Sequence, residues 1–434
     1  MEYVIGLLVL LLGLLVSIAL HEVGHMVPAK RFGVRVSKYM VGFGPTLWSR
    51  TRGETEYGLK AIPLGGYVRL IGMFPPADVV GAQPRPGRIG ELVTAVREQS
   101  AEEVLPGQEQ RAFYRLSTPK KLVVMLGGPF MNLLIAAVLL LVVLVGIGLP
   151  ALSTTVGVVG DCVRPITQEE CAPGDPPVPA AQAGLEPGDE LVSLDGAPVE
   201  SWADFQAAVA ASDGSSVPLV VERAGERLTL ELAPVLADRP VFDDETGAMV
   251  LDEDGQVVTE ETRYVGLSPT RELQPQPISA VPGEVGRLFA GTAEVVLTLP
   301  ARLWDVVQAV VGVEERDASS VIGPVGVGRV AGEIAAADVD LTWRVASLLQ
   351  VLASLNMALF VFNLIPLLPL DGGHVVGALW EGGKRQVARL RGLPRPAPAD
   401  VARMMPLAYG VFAVLALMGV LLLYADLVAP VTLG

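Results

Sequence analysis

The sequence predicts a polytopic α-helical membrane protein that carries a small mixed α/β domain between its second and third spans. Three features predict it: four long apolar runs, an uneven division of charge among the segments joining them, and a cluster of short β-rich runs in one of those segments. At 434 residues, with 51% hydrophobic and 18% charged, the chain is too apolar for an ordinary soluble enzyme. It is also too charged to consist of spans alone. Its formal net charge of −15 argues against a nucleic-acid binder, which needs a basic footprint. Two cysteines exclude a cysteine-rich zinc module and a multiply stapled secreted scaffold. Only three histidines occur, so their positions carry weight.

Taken in order, residues 4–20 hold no charge, and their apolar character continues through 21–27. A signal peptide would show a basic n-region and a small-x-small cleavage site; neither is present, and the run reads as a retained transmembrane helix. Residues 122–149 are free of charge and long enough to cross about 30 Å of hydrocarbon. Residues 345–370 form a third span, broken near its end by Pro366 and Pro369. Residues 405–427 form a fourth, with Asp426 at its edge. A fifth apolar stretch, 295–313, is interrupted by Pro300, Arg302 and Asp305, which suits an amphipathic surface helix.

Residues 27–121 hold 15 Lys/Arg and 8 Asp/Glu, residues 150–344 hold 11 and 33, and residues 381–404 hold 6 and 2. Basic loops stay in the cytoplasm, so both termini are expected outside and the acidic region is expected to be exported. Cys162 and Cys171 both fall in that region, where a disulfide is allowed. Within it, residues 154–235 read as the small mixed domain. Runs at 155–159, 190–194, 217–222 and 227–232 are β-rich, and a helix is expected over 201–211 with Ser201 as N-cap. Residues 236–275 are acidic and aperiodic, an expected loop or extended insert. Residues 75–110, rich in Pro, Gly and charge, are expected to be mobile.

His21-Glu22-Val23-Gly24-His25 is an H-E-x-x-H run at the inner end of the first span. Positions i and i+4 share a helix face, so both imidazoles can bind one ion, with Glu22 placed as general base toward a water. Two neutral imidazoles with a carboxylate or water completing a tetrahedron suit Zn²⁺. Ionisable groups at membrane depth are costly and usually functional. A third ligand must come from elsewhere. Asp371 is the only acid between Leu341 and Trp380, and the topology brings it to the same depth as His21 and His25. His374 is the alternative. Pro366 and Pro369 break the helix before Asp371, and Gly372 and Gly373 are expected to allow tight turns after it.

Together these motifs resemble the site-2 protease family of intramembrane zinc metalloproteases, in particular the bacterial branch with four spans and an extracytoplasmic PDZ domain. H-E-V-G-H matches the family's zinc and catalytic motif, and Asn363 through Asp371-Gly372 matches its N-x-x-P…D-G motif. Gly127-Gly-Pro-Phe-Met-Asn132 matches its second-span motif. Gly42-Phe-Gly-Pro45 and residues 57–68 look like its membrane-associated β-hairpin. Residues 180–196 resemble the signature of bacterial PDZ domains, and Ser320-Val-Ile-Gly-Pro-Val-Gly326 is also similar to a family element. The Cys162–Cys171 insert, the stretch 236–275 and the loop 75–110 depart from the family pattern.

The resemblance implies a zinc metalloendopeptidase with His21, His25 and Asp371 as zinc ligands and Glu22 as the catalytic base. Asn132 and Asn363, read from their own chemistry as polar amides at membrane depth, are expected either to hydrogen-bond an extended substrate or to join neighbouring helices. The implied partners are membrane lipid and single-span membrane proteins already trimmed on the outer side, such as anti-sigma factors or signal-peptide remnants, and no nucleic acid. The implied place is the bacterial cytoplasmic membrane. The expected segments are the first transmembrane helix (1–27), a cytoplasmic loop (28–121) with its hairpin near 57–70, the second helix (122–149), and a PDZ-like domain (150–235). An acidic loop with a surface helix (236–344), the third transmembrane segment (345–374), a basic loop (375–404) and the fourth helix (405–428) follow. The PDZ-like domain is either a peptide binder or a size filter. A membrane metal transporter would need polar residues along several spans, and the second and fourth have almost none. A non-catalytic membrane binding protein would be expected to lose Glu22 or a ligand, and none is missing.

Overall fold

The computed structural model describes the chain except for residues 84–85, 165–169, 242–248, 251, 253–255, 313–315, 317–319 and 432–434, and the side chain at position 64. Among the described residues, four helical stretches are long and apolar enough to cross a membrane: Glu2–Arg31, Thr118–Ile147, Leu341–Asn363 and Val401–Val428. An apolar run satisfies its backbone polar groups internally only as helix, which is why these segments take that form. The chain divides into two units, one of Met1–Ile147 with Gln276–Gly434 and the other of Gly148–Pro275.

The first unit opens with α1 (Glu2–Arg31), followed by β1 (Val36–Arg52) and β2 (Thr55–Leu70) as an antiparallel hairpin. Its register folds back on itself, so Lys38–Val41 pairs with Glu56–Leu59 on one side and with Gly66–Arg69 on the other. Phe43, Leu47, Trp48, Leu59 and Ile62 stand exposed toward the end of the sheet away from the Arg52–Thr55 turn. After a short turn of helix, α2 (Ala77–Val80), comes α3 (Arg88–Glu102). The segment expected to be mobile therefore contains a 15-residue helix. Its anchors are remote in sequence: Arg97 pairs with Asp400 at 2.5 Å, and Ser100 Oγ donates to the Phe74 carbonyl at 3.0 Å. Local composition cannot reveal such partners.

Next is α4 (Thr118–Leu141), continued by a π-helical turn over Val142–Ile147. The same unit resumes at α7 (Val281–Val310), an amphipathic helix that begins well before the expected stretch and packs Val285, Leu288 and Val296 toward Met357 and Val361. It is followed by α8 (Pro324–Ala336), α9 (Leu341–Asn363), α10 (Asp371–Leu390) and α11 (Met405–Val428). Two expectations change here. The third span ends at Asn363 rather than running on to 374, and the basic segment expected as a loop is helical to Leu390. Asp426 of α11, fully buried, accepts from the Gly323 and Gly326 amides at 3.2 and 2.7 Å and from Arg316 at 3.1 Å. It thus caps the start of α8 from another helix, where a carboxylate is favoured by the helix dipole.

The second unit runs through β3 (Leu149–Val159), α5 (Pro179–Gln182), β4 (Glu190–Leu194), β5 (Ala197–Pro198), α6 (Trp202–Ala211), β6 (Val217–Arg223) and β7 (Glu226–Leu232). It closes with β8 (Val235–Pro240), β9 (Thr259–Tyr264) and β10 (Leu267–Gln274). The main sheet has the order β10-β3-β4-β6-β7, with β5 paired to β4, and β8 and β9 form a separate hairpin. Ser201 caps α6 by accepting from the Asp204 amide, as its sequence position predicts. Residues 236–275, expected as a loop or extended insert, form strands β8, β9 and β10 among the described residues, and β10 is an integral strand beside β3. The acidic composition hid them, because no residue of these strands is fully buried and β9 carries no apolar alternation to mark it. Val156, Leu191, Leu194, Phe205, Leu219, Val221 and Leu232 make the core. Cys162 and Cys171 form a disulfide.

Asp189, buried in this unit, receives Arg223 Nε at 2.7 Å and Nη2 at 2.8 Å, and that pairing holds its carboxyl below the usual carboxylate range. A depressed folded-state pKa contributes stability above the unfolded value of about 3.9, which is lost as pH falls through the folded value. Acidification from about pH 5 to well below 4 is expected to lower the protection of β4 and β6 amides, taken as exchange relative to the intrinsic rate at each pH, in the wild-type chain. Arg223→Gln should exchange faster at neutral pH and respond less to acid, as mass spectrometry of those peptides would record.

Candidate metal centre

In α1 the residues of the H-E-x-x-H run stay helical, so His21 and His25 fall one turn apart on one face. Their Nε2 atoms lie 3.2 Å from each other. Asp371 Oδ2 lies 3.4 Å from His21 Nε2 and 3.3 Å from His25 Nε2. These three donors form a nearly equilateral triangle. It is the grouping of potential metal ligands found among the described residues.

The sequence explains how Asp371 reaches that point. After α9 ends at Asn363, residues 364–370 turn irregularly, and Asp371 opens α10 with its carboxylate in the first helical turn. Gly372 and Gly373 are helical here and make no turn. A Cβ on either would fall under 3.0 Å from backbone atoms of residues 364–368, so glycine is required for close packing of α10 on the connection before it. This replaces the expected turn-making role.

His25 is held through its other nitrogen, since Nδ1 lies 2.8 Å from the Val124 carbonyl of α4. Only a protonated Nδ1 can bond a carbonyl, so in the neutral ring Nε2 presents its lone pair to the triangle. A ligand imidazole is oriented in this way by its outer partner. The ring packs on Gly128, where a Cβ would fall under 3.0 Å from His25 Nε2. Beside it, Gly24 of α1 and Gly127 of α4 meet backbone to backbone, each so close that a Cβ on one would collide with the carbonyl of the other. Pro28, within α1, has no amide to offer the Gly24 carbonyl and leaves it free at this crossing.

Glu22 is buried next to the triangle, and Gly66 of β2 lies against its side chain, where a Cβ would come 3.1 Å from Glu22 Cγ. Of the remaining expected residues, Asn132 is fully buried in α4, with neither amide atom hydrogen-bonded. Asn363 donates to the Leu359 carbonyl at 3.0 Å. His374 is outside the triangle, its ring 6.3 Å from that of Phe74. Sequence reasoning missed Asn356, fully buried in α9, which donates to Ser17 Oγ of α1 at 3.0 Å. Its signal was available: an amide inside an apolar run, two helical turns before Asn363.

A family model described as "Peptidase family M50" matches residues 9–393. The chain belongs to peptidase family M50. Within M50, the "Zinc metalloprotease Rip1" of Mycobacterium tuberculosis is 34% identical over 440 residues, covering the whole of both chains. A protein of the same name from Mycolicibacterium smegmatis is 34% identical over 444 residues, again across both chains. The "Metalloprotease MmpA" of Caulobacter vibrioides is 27% identical over 405 residues, 89% of each chain. An M50 peptidase with these apolar helices is a multi-pass membrane protein.

The donor set fits a zinc ion. Tetrahedral bonds of about 2.0–2.1 Å to nitrogen and oxygen place the donors about 3.3–3.4 Å apart, the spacing seen here. Lone pairs of two imidazoles and a carboxylate converging at 3.2–3.4 Å repel unless positive charge lies among them. Gly128→Ala is therefore expected to push the His25 ring from the triangle and cut zinc content per folded chain at least tenfold. Elemental analysis of the purified variant, beside its circular dichroism, checks this.

Proposed function

We propose that this M50 peptidase is an intramembrane zinc metalloprotease that hydrolyses peptide bonds within the transmembrane segments of single-span membrane proteins. The observation that carries the reading is the His21–His25–Asp371 triangle with Glu22 beside it, set at the end of an apolar helix. Zinc held there supplies Lewis acidity, polarising the scissile carbonyl and lowering the pKa of a water. Glu22 takes the proton of that water and delivers it to the leaving amine. Burial of Glu22 beneath β2 keeps other water from the base. His21, His25 and Asp371 keep their donors converged, with Val124 fixing the His25 tautomer.

A helical substrate must unwind before its peptide bonds can be attacked, and its freed backbone groups then need partners. Residues Gly66–Arg69 of β2 pair with β1 on one edge and have no strand on the other among the described residues. That open edge passes Glu22, so an extended segment added to it as a strand lies across the site. Asn363, near the end of α9, adds hydrogen bonds to such a strand, and Asn132 supplies an uncommitted amide once substrate opens its surroundings. The exposed apolar residues at the end of the sheet away from the Arg52–Thr55 turn suit contact with lipid.

The charge partition orients the spans in a bacterial cytoplasmic membrane with both termini outside. Residues 150–235 form an extracytoplasmic PDZ-like domain, a peptide binder or a size filter, and the substrates are proteins already trimmed on the outer side, such as anti-sigma factors or signal-peptide remnants. Residues 28–121 and the basic stretch 375–404 face the cytoplasm.

Glu22→Gln is expected to abolish cleavage of a single-span reporter in proteoliposomes while leaving zinc content at the wild-type level; undiminished cleavage would overturn the assignment. Asp371→Ala should lower zinc occupancy, and full occupancy would move the third ligand elsewhere.

A further inference from the structure

His25 is steadied by α4, whereas Asp371 is carried by α10. The register between these two helices therefore decides whether the three donors converge. Below the triangle, α10 meets the start of α4 closely: a Cβ on Gly382 would come 2.8 Å from Thr118 Cγ2. Between the helices lies a buried ion pair. Lys121 Nζ donates to Glu381 Oε2 at 2.8 Å, with side chains only 6% and 1% exposed. The same carboxylate accepts from the Ala399 amide at 2.9 Å and pairs through Oε1 with Arg385 at 2.5 Å. Lys121 precedes Val124 by about one helical turn, and Glu381 follows Asp371 on one continuous helix.

A buried pair of this kind gives little net stability over well-packed apolar side chains, but it is demanding in geometry. An axial slip of one residue is about 1.5 Å, enough to part a 2.8 Å contact and to spoil a triangle whose edges differ by 0.2 Å. Apolar packing between α4 and α10 has no comparable penalty for a small slip.

We infer that the Lys121–Glu381 pair fixes the register of α10 against α4 and thereby positions the Asp371 carboxylate against the two imidazoles. Lys121 and Glu381 are positioning residues, and neither touches the reacting atoms. The inference rests on His21, His25 and Asp371 being the zinc ligands, and its test separates the two.

The test uses the full chain in detergent micelles. Zinc affinity is read by chelator competition, and site geometry by the ligand-field spectrum of the cobalt-substituted protein. Lys121→Met and Glu381→Gln are expected to weaken zinc binding about 10- to 100-fold and to alter the cobalt spectrum in protein that remains helical. Lys121→Arg, which keeps the charge, should retain most of the affinity. The double variant Lys121→Met/Glu381→Met leaves neither partner of the pair as a lone buried charge, so it carries the test if a single variant fails to fold. Weak binding and an altered spectrum in the double variant support positioning; wild-type affinity and spectrum would overturn it. His21→Ala is the control. If it binds zinc as tightly as wild type, the ligand assignment fails whatever the pair does. If it loses zinc while the double variant keeps it, only the positioning inference fails.

Discussion

The reciprocal approach of Gly24 and Gly127 is the contact on which the site depends. With no side chain on either, the backbones of α1 and α4 come close enough for the Val124 carbonyl to reach His25 Nδ1 and for the His25 ring to rest on Gly128. Small residues allow such approach between apolar helices, which gain nothing from hydrophobic burial when lipid is the alternative. Pro28 adds to it by freeing the Gly24 carbonyl at the crossing. A single tight crossing thus sets the tautomer, the ring plane and the direction of one donor.

Around this crossing the first unit is tied by buried polar contacts between segments far apart in sequence. Asp426 caps α8 and holds Arg316, Arg97 grips Asp400, and Asn356 reaches Ser17. Each would be costly if left unpaired, so each acts as a specific join where apolar packing alone would permit sliding. The second unit is built differently, with an apolar core under an antiparallel sheet and its charge at the surface. That contrast matches the composition of the two parts.

Much of this was legible in the chain. The four spans, the His21–His25 pairing, the arrival of Asp371 and the capped helix at Ser201 all follow from local chemistry and periodicity. What could not be read arises from partners distant in sequence. Helix α3 looks like a charged loop until Arg97 finds Asp400, and β10 looks like part of an acidic insert until it pairs with β3. The end of the third span was misjudged because Pro366 and Pro369 mark where helix is impossible, not where it stops; Asn363 ends it earlier. Gly372 and Gly373 suggest turns from composition, yet serve as flat surfaces for packing.

The Gly24–Gly127 crossing also divides the site into a stiff half and an adjustable half. Glycine has no smaller neighbour among the amino acids, and any larger one collides, so the separation of α1 and α4 offers evolution no intermediate settings. The approach of α10 to α4 is less absolute, because at Gly382 a Cβ would meet a side-chain methyl of Thr118 rather than backbone, and a side chain can be exchanged. Drift among relatives that tunes how firmly the ion is held should therefore accumulate on the α10 side, while the two imidazoles remain where the glycines put them.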